Sequence, residues 1–193
     1  ACCFICGIFY TFGPVPISRL PLGEFLSGLF YGFFIPWIFL YINYPPELFM
    51  AWTWGYPSML LSLYLPNLIG LALLSAAPFC CTANVMLANN LCDLDKDLQQ
   101  GRRTLPSFIG LNRGLYLFAA LAALPYLALI FMVLSGLARP VVLLALLTAW
   151  PVLTNTRKFF VRQDKRETFP LSLSNFILTM GSFCLAMLLG RWI

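Results

Sequence analysis

The feature that most constrains this chain is a series of long apolar runs separated by short polar segments. Of the 193 residues, 61% are hydrophobic and only 10% are charged, which is too much apolar surface for a water-soluble globule to bury. A bilayer core is crossed by roughly 20 helical residues. Six runs approach that length, the first of them incomplete: residues 1–12, 22–42, 58–91, 115–134, 141–156 and 171–192. Lipid is therefore the main solvent of this chain.

These runs predict helices rather than transmembrane strands. A strand that crosses a membrane alternates polar and apolar residues, whereas residues 115–134 are apolar on nearly every side. The predicted fold class is an all-α integral membrane protein, a bundle of about six spans. The third run is too long for one straight span, so we expect a short surface helix and then a kinked helix from about Pro66, with Pro78 inside it. Gly28 and Gly32 form a small-x3-small pair that predicts close helix packing.

The start of the chain is unlike a signal peptide. The run that begins at Ala1 has no basic flank before it and no small-residue cleavage site after it. We expect a chain that starts inside a helix, with a single transmembrane domain over residues 1–193 that lacks its N-terminal part.

Basic residues are distributed unevenly between the loops. Ten of the 12 Lys and Arg residues follow the first, third or fifth run: Arg19, Lys96, Arg102, Arg103, Arg113, Arg157, Lys158, Arg162, Lys165 and Arg166. The other loops hold only Arg139 and Arg191. By the positive-inside rule the ten-charge side is cytoplasmic in a multi-pass protein of the cell membrane. The stretch 157–166 could also bind anionic lipid headgroups. Topology and phosphate binding account for these charges, so nothing points to nucleic acid.

The chain contains no histidine, which excludes Ser-His and Cys-His nucleophilic catalysis. Its seven cysteines lie mostly within apolar runs, and Cys3-x-x-Cys6 has no second pair to complete a zinc site. Any chemistry must therefore use carboxylates, basic residues, amides or tyrosines.

One segment concentrates the polar groups that can do chemistry. Of seven acidic residues, three fall within five positions, and Asn89 and Asn90 precede them. On a helix that advances about 100° per residue, Asn89, Asp93 and Asp97 share one stripe with Asn90, while Asp95 faces away. Magnesium prefers oxygen ligands and commonly takes one or two carboxylates together with substrate phosphate oxygens. The stripe predicts a site for Mg²⁺ and a diphosphate, with Asn89, Asp93 and Asp97 as metal ligands.

Downstream residues add positive charge to this segment. Gly101-Arg102-Arg103-Thr104 offers a turn with two guanidinium groups, which suit bidentate phosphate contacts, and Lys96 is near. We expect Asn89, Asn90, Lys96, Arg102 and Arg103 to contact the diphosphate. The alternative interpretation is an acidic helix end in cytosolic water with basic residues that only fix topology.

The segment resembles the second aspartate-rich motif of the UbiA superfamily of membrane prenyltransferases. The resemblance rests on Asn89-Asn90-Leu91-Cys92-Asp93-Leu94-Asp95-Lys96-Asp97 and the following Gly101-Arg102-Arg103-Thr104-Leu105. It is closest to the branch that uses 1,4-dihydroxy-2-naphthoate, in which a Tyr-x-x-Gly-Pro stretch precedes a Gly-Glu pair, as in Tyr10-Thr11-Phe12-Gly13-Pro14 and Gly23-Glu24 here. Cys92 replaces an arginine usual in that branch, and Arg102 replaces a lysine.

The resemblance implies a fold of nine helices with two aspartate motifs, of which this chain matches the last six helices and the second motif. It implies magnesium-dependent transfer of a polyprenyl group from its diphosphate to an aromatic acceptor, 1,4-dihydroxy-2-naphthoate in menaquinone biosynthesis, with loss of the acceptor's carboxyl group. Asp93 and Asp97 are then the catalytic metal ligands, and the 193-residue chain alone is expected to be inactive.

Several alternatives remain at this point. Tyr10 is a candidate for the pocket wall or an interfacial anchor, and Glu24 could cap its helix. The acceptor could be another aromatic compound. A CDP-alcohol phosphotransferase would need an Asp-Gly-x-x-Ala-Arg stretch that the sequence lacks. A transporter would place charge at span centres, where this chain has none. A truncated, inactive chain is compatible with the family resemblance.

Overall fold

The computed structural model describes residues 20–55 and 58–192, together with residues 8, 9 and 12. Seven helices and two strands organise these residues. The helices are α1 (Gly23–Asn43), α2 (Leu65–Cys92), α3 (Leu94–Gln99), α4 (Leu105–Ile109), α5 (Leu111–Leu134), α6 (Ala149–Val161) and α7 (Phe169–Trp192). Strands β1 (Met50–Gly55) and β2 (Ser58–Leu63) follow α1, and 3₁₀ helices span Pro46–Leu48 and Pro140–Thr148.

Four of the described helices, α1, α2, α5 and α7, are long and apolar enough to cross a membrane. The predicted class of a helical membrane bundle is therefore confirmed. The span predicted at 141–156 is divided into the 3₁₀ helix and α6, because Pro151 has no N–H to donate to the carbonyl of Leu147. The first predicted run, 1–12, lies almost wholly outside the described residues.

The structure of the third apolar run, residues 58–91, differs from the prediction in one respect. Helix α2 begins at Leu65, next to Pro66 as expected, and contains Pro78. The short surface helix expected before it is wrong, because Ser58–Leu63 forms a strand that pairs antiparallel with Met50–Gly55. The aromatic and β-branched side chains of β1 favour a strand, and the apolar run of β2 completes the pair.

The glycine pair of α1 packs as the sequence predicts. It lies in a π-helical segment, Gly28–Phe34, against the middle of α2. A Cβ on Gly32 would lie 2.2 Å from both the N and the Cα of Phe79, and one on Gly28 would lie 2.9 Å from the carbonyl oxygen of Phe79. Only glycine permits the two backbones to approach so closely.

The charged loops of the described residues meet at one end of the bundle. The start of α1 contacts the end of α2 through Glu24 and Asn90, and the loop before α7 contacts the end of α2 through Lys165. Next to this end, a core between α2, α5 and α6 includes the stacked rings of Phe118 and Phe159, whose centroids are 4.4 Å apart. The core fixes the helix ends that carry the polar residues.

Candidate functional site

The acidic motif spans the junction of two helices. Helix α2 ends at Cys92, Asp93 adopts φ −99° and ψ 6°, and α3 begins at Leu94. The uninterrupted helix expected through Asp97 is wrong, although the N–H of Asp97 still donates to the carbonyl of Asp93 at 2.8 Å. The two carboxylates differ in surroundings, since the Asp93 side chain is 27% exposed and that of Asp97 only 2%. Each carboxylate also has a separate basic partner, Lys165 for Asp93 and Arg102 for Asp97.

Lys165 is the partner of Asp93. Its Nζ donates to Oδ2 of Asp93 and to Oδ1 of Asn89, both at 2.5 Å, and lies 5.2 Å from the ring centroid of Phe169. From the sequence, Lys165 was expected to fix membrane topology or, as part of the stretch 157–166, to bind anionic lipid headgroups. It is 76 residues from Asn89, so no local pattern could have indicated the contact.

A tight turn holds Lys165 in place. One carboxylate oxygen of Asp164 accepts hydrogen bonds from the backbone N–H groups of Arg166 (2.8 Å) and Glu167 (2.9 Å). The backbone N–H of Asp164 donates to the Thr168 hydroxyl at 2.8 Å. The hydrogen bonds from Glu167 and Arg166 stabilise the charged carboxylate and so hold the pKa of Asp164 below its ordinary value. These hydrogen bonds define the turn that carries Lys165.

Glu24 forms a buried contact with the motif. Its carboxylate accepts a hydrogen bond from Nδ2 of Asn90 at 2.8 Å, and the residue is only 3% exposed. The suggested role of Glu24 as a cap of its own helix is replaced by this contact with α2. The second oxygen, Oε2, is buried and has no hydrogen-bond partner among the described residues. An unpaired carboxylate oxygen at this depth is costly, so it marks a position where a cation or donor would be stabilised.

Asp97 is paired with Arg102. Nη1 of Arg102 lies 3.2 Å from Oδ1 of Asp97, and Gly101, at φ +67°, makes the intervening turn possible. Oδ2 of Asp97 is buried with no partner in the described part of the chain. Arg102 and Arg103 line a pocket of about 340 Å³ that does not include Asn89. The structure thus pairs Arg102 with Asp97 and places Arg103 in the same pocket as Arg102, a pocket that Asn89 does not line.

Lys96 and Tyr10 complete the predicted set. Lys96 lies on α3 with an exposed side chain, and within the described ranges it forms no ion pair. Tyr10 lies outside the described residues.

A cavity of about 480 Å³ opens beside Asn89, between α1, α2 and α7. Its walls are mostly apolar and are formed by Ser27, Tyr31, Thr82, Val85, Met86, Asn89, Phe169, Leu173 and Phe176. Phe169, which also underlies Lys165, joins the cavity to the charged cluster. A ligand with an anionic head and an apolar tail would match this arrangement. No local sequence pattern indicated the α1 and α7 residues of this wall.

The donor set fits magnesium held jointly with a phosphate ligand. No three acidic or cysteine side chains cluster closely enough within the described residues to form an all-protein metal cage. Asn89 and Asp93 would supply two oxygen ligands, and unpartnered oxygens remain on Glu24, which contacts Asn90, and on Asp97. Magnesium usually keeps several waters and shares substrate phosphates, so two protein ligands suffice.

Fold and site together define a multi-pass membrane protein with a cluster of carboxylates, amides and basic residues at the mouth of an apolar cavity. The chain belongs to the UbiA prenyltransferase family, whose family model matches residues 1–179. It is also similar to 1,4-dihydroxy-2-naphthoate octaprenyltransferase of Bacillus subtilis (strain 168), with 30% identity over 134 residues. That alignment covers 69% of this chain and 37% of the relative, so the matched region spans little more than a third of the relative's length. No solved structure matches the chain.

Proposed function

We propose that this chain carries one of the metal and diphosphate sites of a magnesium-dependent prenyltransferase that acts on an aromatic acceptor. The observation that carries the proposal is the position of Asn89. It lines the apolar cavity, and its side-chain oxygen accepts a hydrogen bond from the Lys165 ammonium group, which also contacts Asp93. A polyprenyl diphosphate has the same two parts, an apolar tail and an anionic head. Its tail would lie in the cavity and its head at Asn89.

In this proposal Asn89 and Asp93 hold the metal, with Asp97 as a further ligand through its free oxygen. Magnesium, when bound, neutralises charge on the diphosphate leaving group. Lys165 already reaches Asn89 and Asp93, so its ammonium group can shift onto a diphosphate oxygen bound there. Arg102 contacts Asp97 and supplies a second positive charge, with Arg103 beside it and Lys96 on the adjoining helix. Asn90, held by Glu24, orients Asn89 through a 3.5 Å contact.

The proposed reaction has three parts. The allylic C–O bond breaks, diphosphate leaves with the electron pair, and an aromatic ring carbon forms the new C–C bond. Basic residues stabilise the charge that develops on the leaving group. The mostly apolar walls between α1, α2 and α7 keep water from capturing the allylic cation. For an acceptor that carries a carboxylate at the attacked carbon, carbon dioxide departs and restores the aromatic ring.

The proposed acceptor is 1,4-dihydroxy-2-naphthoate, which would place the protein in menaquinone biosynthesis. The support is the similarity to the Bacillus subtilis naphthoate octaprenyltransferase and the motif resemblance. The excess of basic residues at the site end of the bundle supports a cytoplasmic site.

The test is a measurement of prenyl transfer by membranes from cells that express the complete gene product. A radiolabelled polyprenyl diphosphate is supplied with Mg²⁺ and either 1,4-dihydroxy-2-naphthoate or 4-hydroxybenzoate. We expect lipid-soluble labelled product when the acceptor is the naphthoate and none when it is 4-hydroxybenzoate. Product with 4-hydroxybenzoate alone would retain prenyl transfer and overturn the acceptor, and no magnesium-dependent product with any aromatic acceptor would overturn the proposal.

A further inference from the structure

The β-hairpin lies at the end of the bundle opposite to the candidate site. It connects the end of α1 at Asn43 to the start of α2 at Leu65. Glu24, at the other end of α1, contacts the motif. The 21 residues of α1 correspond to about 30 Å at 1.5 Å per residue, the thickness of a bilayer core. The hairpin is therefore at the level of the opposite membrane boundary.

The pairing register gives the hairpin two unlike faces. Three cross-strand pairs on one face join large apolar side chains, namely Met50 with Leu63, Trp52 with Leu61 and Trp54 with Met59. The alternate pairs on the other face join Ala51 with Ser62, Thr53 with Leu60 and Gly55 with Ser58. Side chains alternate between faces along a strand, so the register itself produces this separation.

The large apolar face is not covered by the described part of the protein. Trp52 is 77% exposed and Trp54 is 85% exposed, and the other four members of that face are exposed as well. A contiguous apolar surface of this kind marks a contact with lipid or with another protein. Residues 48–65 contain no charged side chain, so no ionic partner is indicated.

The hairpin is fixed to the helices on each side. Nδ2 of Asn67, in the first turn of α2, donates to the carbonyl of Leu48 at 2.6 Å. The N–H of Tyr64 donates to the carbonyl of Phe49 at 3.0 Å, and the Phe49 ring lies 5.6 Å from the ring of Trp37 on α1. These contacts hold the apolar face at a set level relative to the membrane-spanning helices.

We propose that the face formed by Met50, Trp52, Trp54, Met59, Leu61 and Leu63 inserts into the lipid interface of the leaflet opposite to the candidate site. Exposed apolar side chains are also present at the adjoining helix ends, namely Tyr41 and Ile42 on α1 and Leu65 and Ile69 on α2. Tryptophan concentrates at the membrane–water interface, where an amphipathic ring has both apolar and polar neighbours. The uncharged face requires no anionic headgroup, so zwitterionic lipid is sufficient. The hairpin anchors α1 and α2, two of the three helices that line the apolar cavity.

Tryptophan fluorescence tests the proposal without depending on enzymatic activity. The complete protein, with Trp37, Trp150 and Trp192 replaced by Phe, is reconstituted into phosphatidylcholine vesicles. Bromine atoms on the acyl chains near the headgroup are expected to quench Trp52 and Trp54, whereas bromine near the chain ends and aqueous iodide quench them less. Addition of an anionic lipid should leave the quenching unchanged.

A variant with the fluorophore on the other face is the matched control. Trp52→Phe and Trp54→Phe are combined with Thr53→Trp, so that one tryptophan occupies the opposite face, on which Leu60 is the only large apolar side chain among the paired residues. Iodide should quench this residue strongly and bromolipid weakly. Strong iodide quenching of Trp52 and Trp54 would overturn the proposal, because the face would then lie in water. Protection from both quenchers would also overturn it, because the face would then contact protein, such as a second copy of this chain.

Discussion

The close approach of α1 and α2 gives a prediction for Gly32→Ala. The added Cβ would lie 2.2 Å from the Phe79 N and Cα and 2.6 Å from the Pro78 carbonyl carbon. Non-bonded carbons pack at about 3.5–4.0 Å, and backbone atoms cannot rotate away as a side chain does. The helices must therefore separate by about 1.5 Å at this point. Overpacking of this kind costs about 1–3 kcal/mol or more.

We expect Gly32→Ala to lower the melting temperature of the detergent-purified protein by about 6–12 °C. This range assumes a loss of about 3 kcal/mol in the free energy of unfolding, and each kcal/mol lowers the melting temperature by about 2–4 °C in a chain of this size. Prenyl transfer should fall as well, because α1 carries Glu24, whose 2.8 Å contact with Asn90 depends on the same packing. Circular dichroism on heating measures the first effect.

The control is Gly181→Ala on α7, where an added Cβ would have no neighbour within 4 Å. This change should leave the melting temperature unchanged or raise it, because alanine favours a helix interior by roughly 1 kcal/mol. Equal melting temperatures for the two variants would refute the packing argument.

Two further predictions concern the polar cluster. Lys165→Met should increase the affinity for Mn²⁺, measured by electron paramagnetic resonance without diphosphate, because Asp93 loses the ammonium group that competes with the metal. The control variant Lys158→Met, at an exposed helical position, should leave the affinity unchanged. Equal affinities for the two variants would contradict the contact between Lys165 and Asp93. Glu24→Ala should lower the melting temperature more than Glu24→Gln, because only alanine removes the buried acceptor of Asn90, a loss of about 1–3 kcal/mol. Indistinguishable melting temperatures would argue against that bond.

Local sequence patterns predicted the helical spans well. Apolar runs such as those of α5 and α7 are determined by hydrophobicity over about 20 residues, which the sequence shows directly. The Gly28 and Gly32 contact with α2 was also predictable, because only small residues permit such an approach. The hairpin was not, since a short apolar run such as β2 has no periodicity that separates a strand from a helix.

The candidate site was predictable only in part. Asn89, Asn90, Asp93 and Asp97 are clustered in the sequence and stay clustered at one end of the bundle. The chain leaves the helix at Asp93, between Cys92 and Leu94, and a helical projection of the sequence assumes that no such break occurs. Lys165 and Glu24 reach the motif from 72 and 66 residues away, so only the folded chain shows these contacts.

The central claim is that Asp93 holds the metal that binds the diphosphate, and a pair of matched substitutions tests it most directly. Asp93→Asn and Asp95→Asn each remove one carboxylate, and the two positions are only two residues apart. Asp95 serves as the control because its side chain is exposed to solvent. Magnesium-dependent prenyl transfer is measured in membranes that contain equal amounts of the two variants. The account predicts that Asp93→Asn abolishes transfer and that Asp95→Asn retains most of it; wild-type transfer by Asp93→Asn would contradict the account.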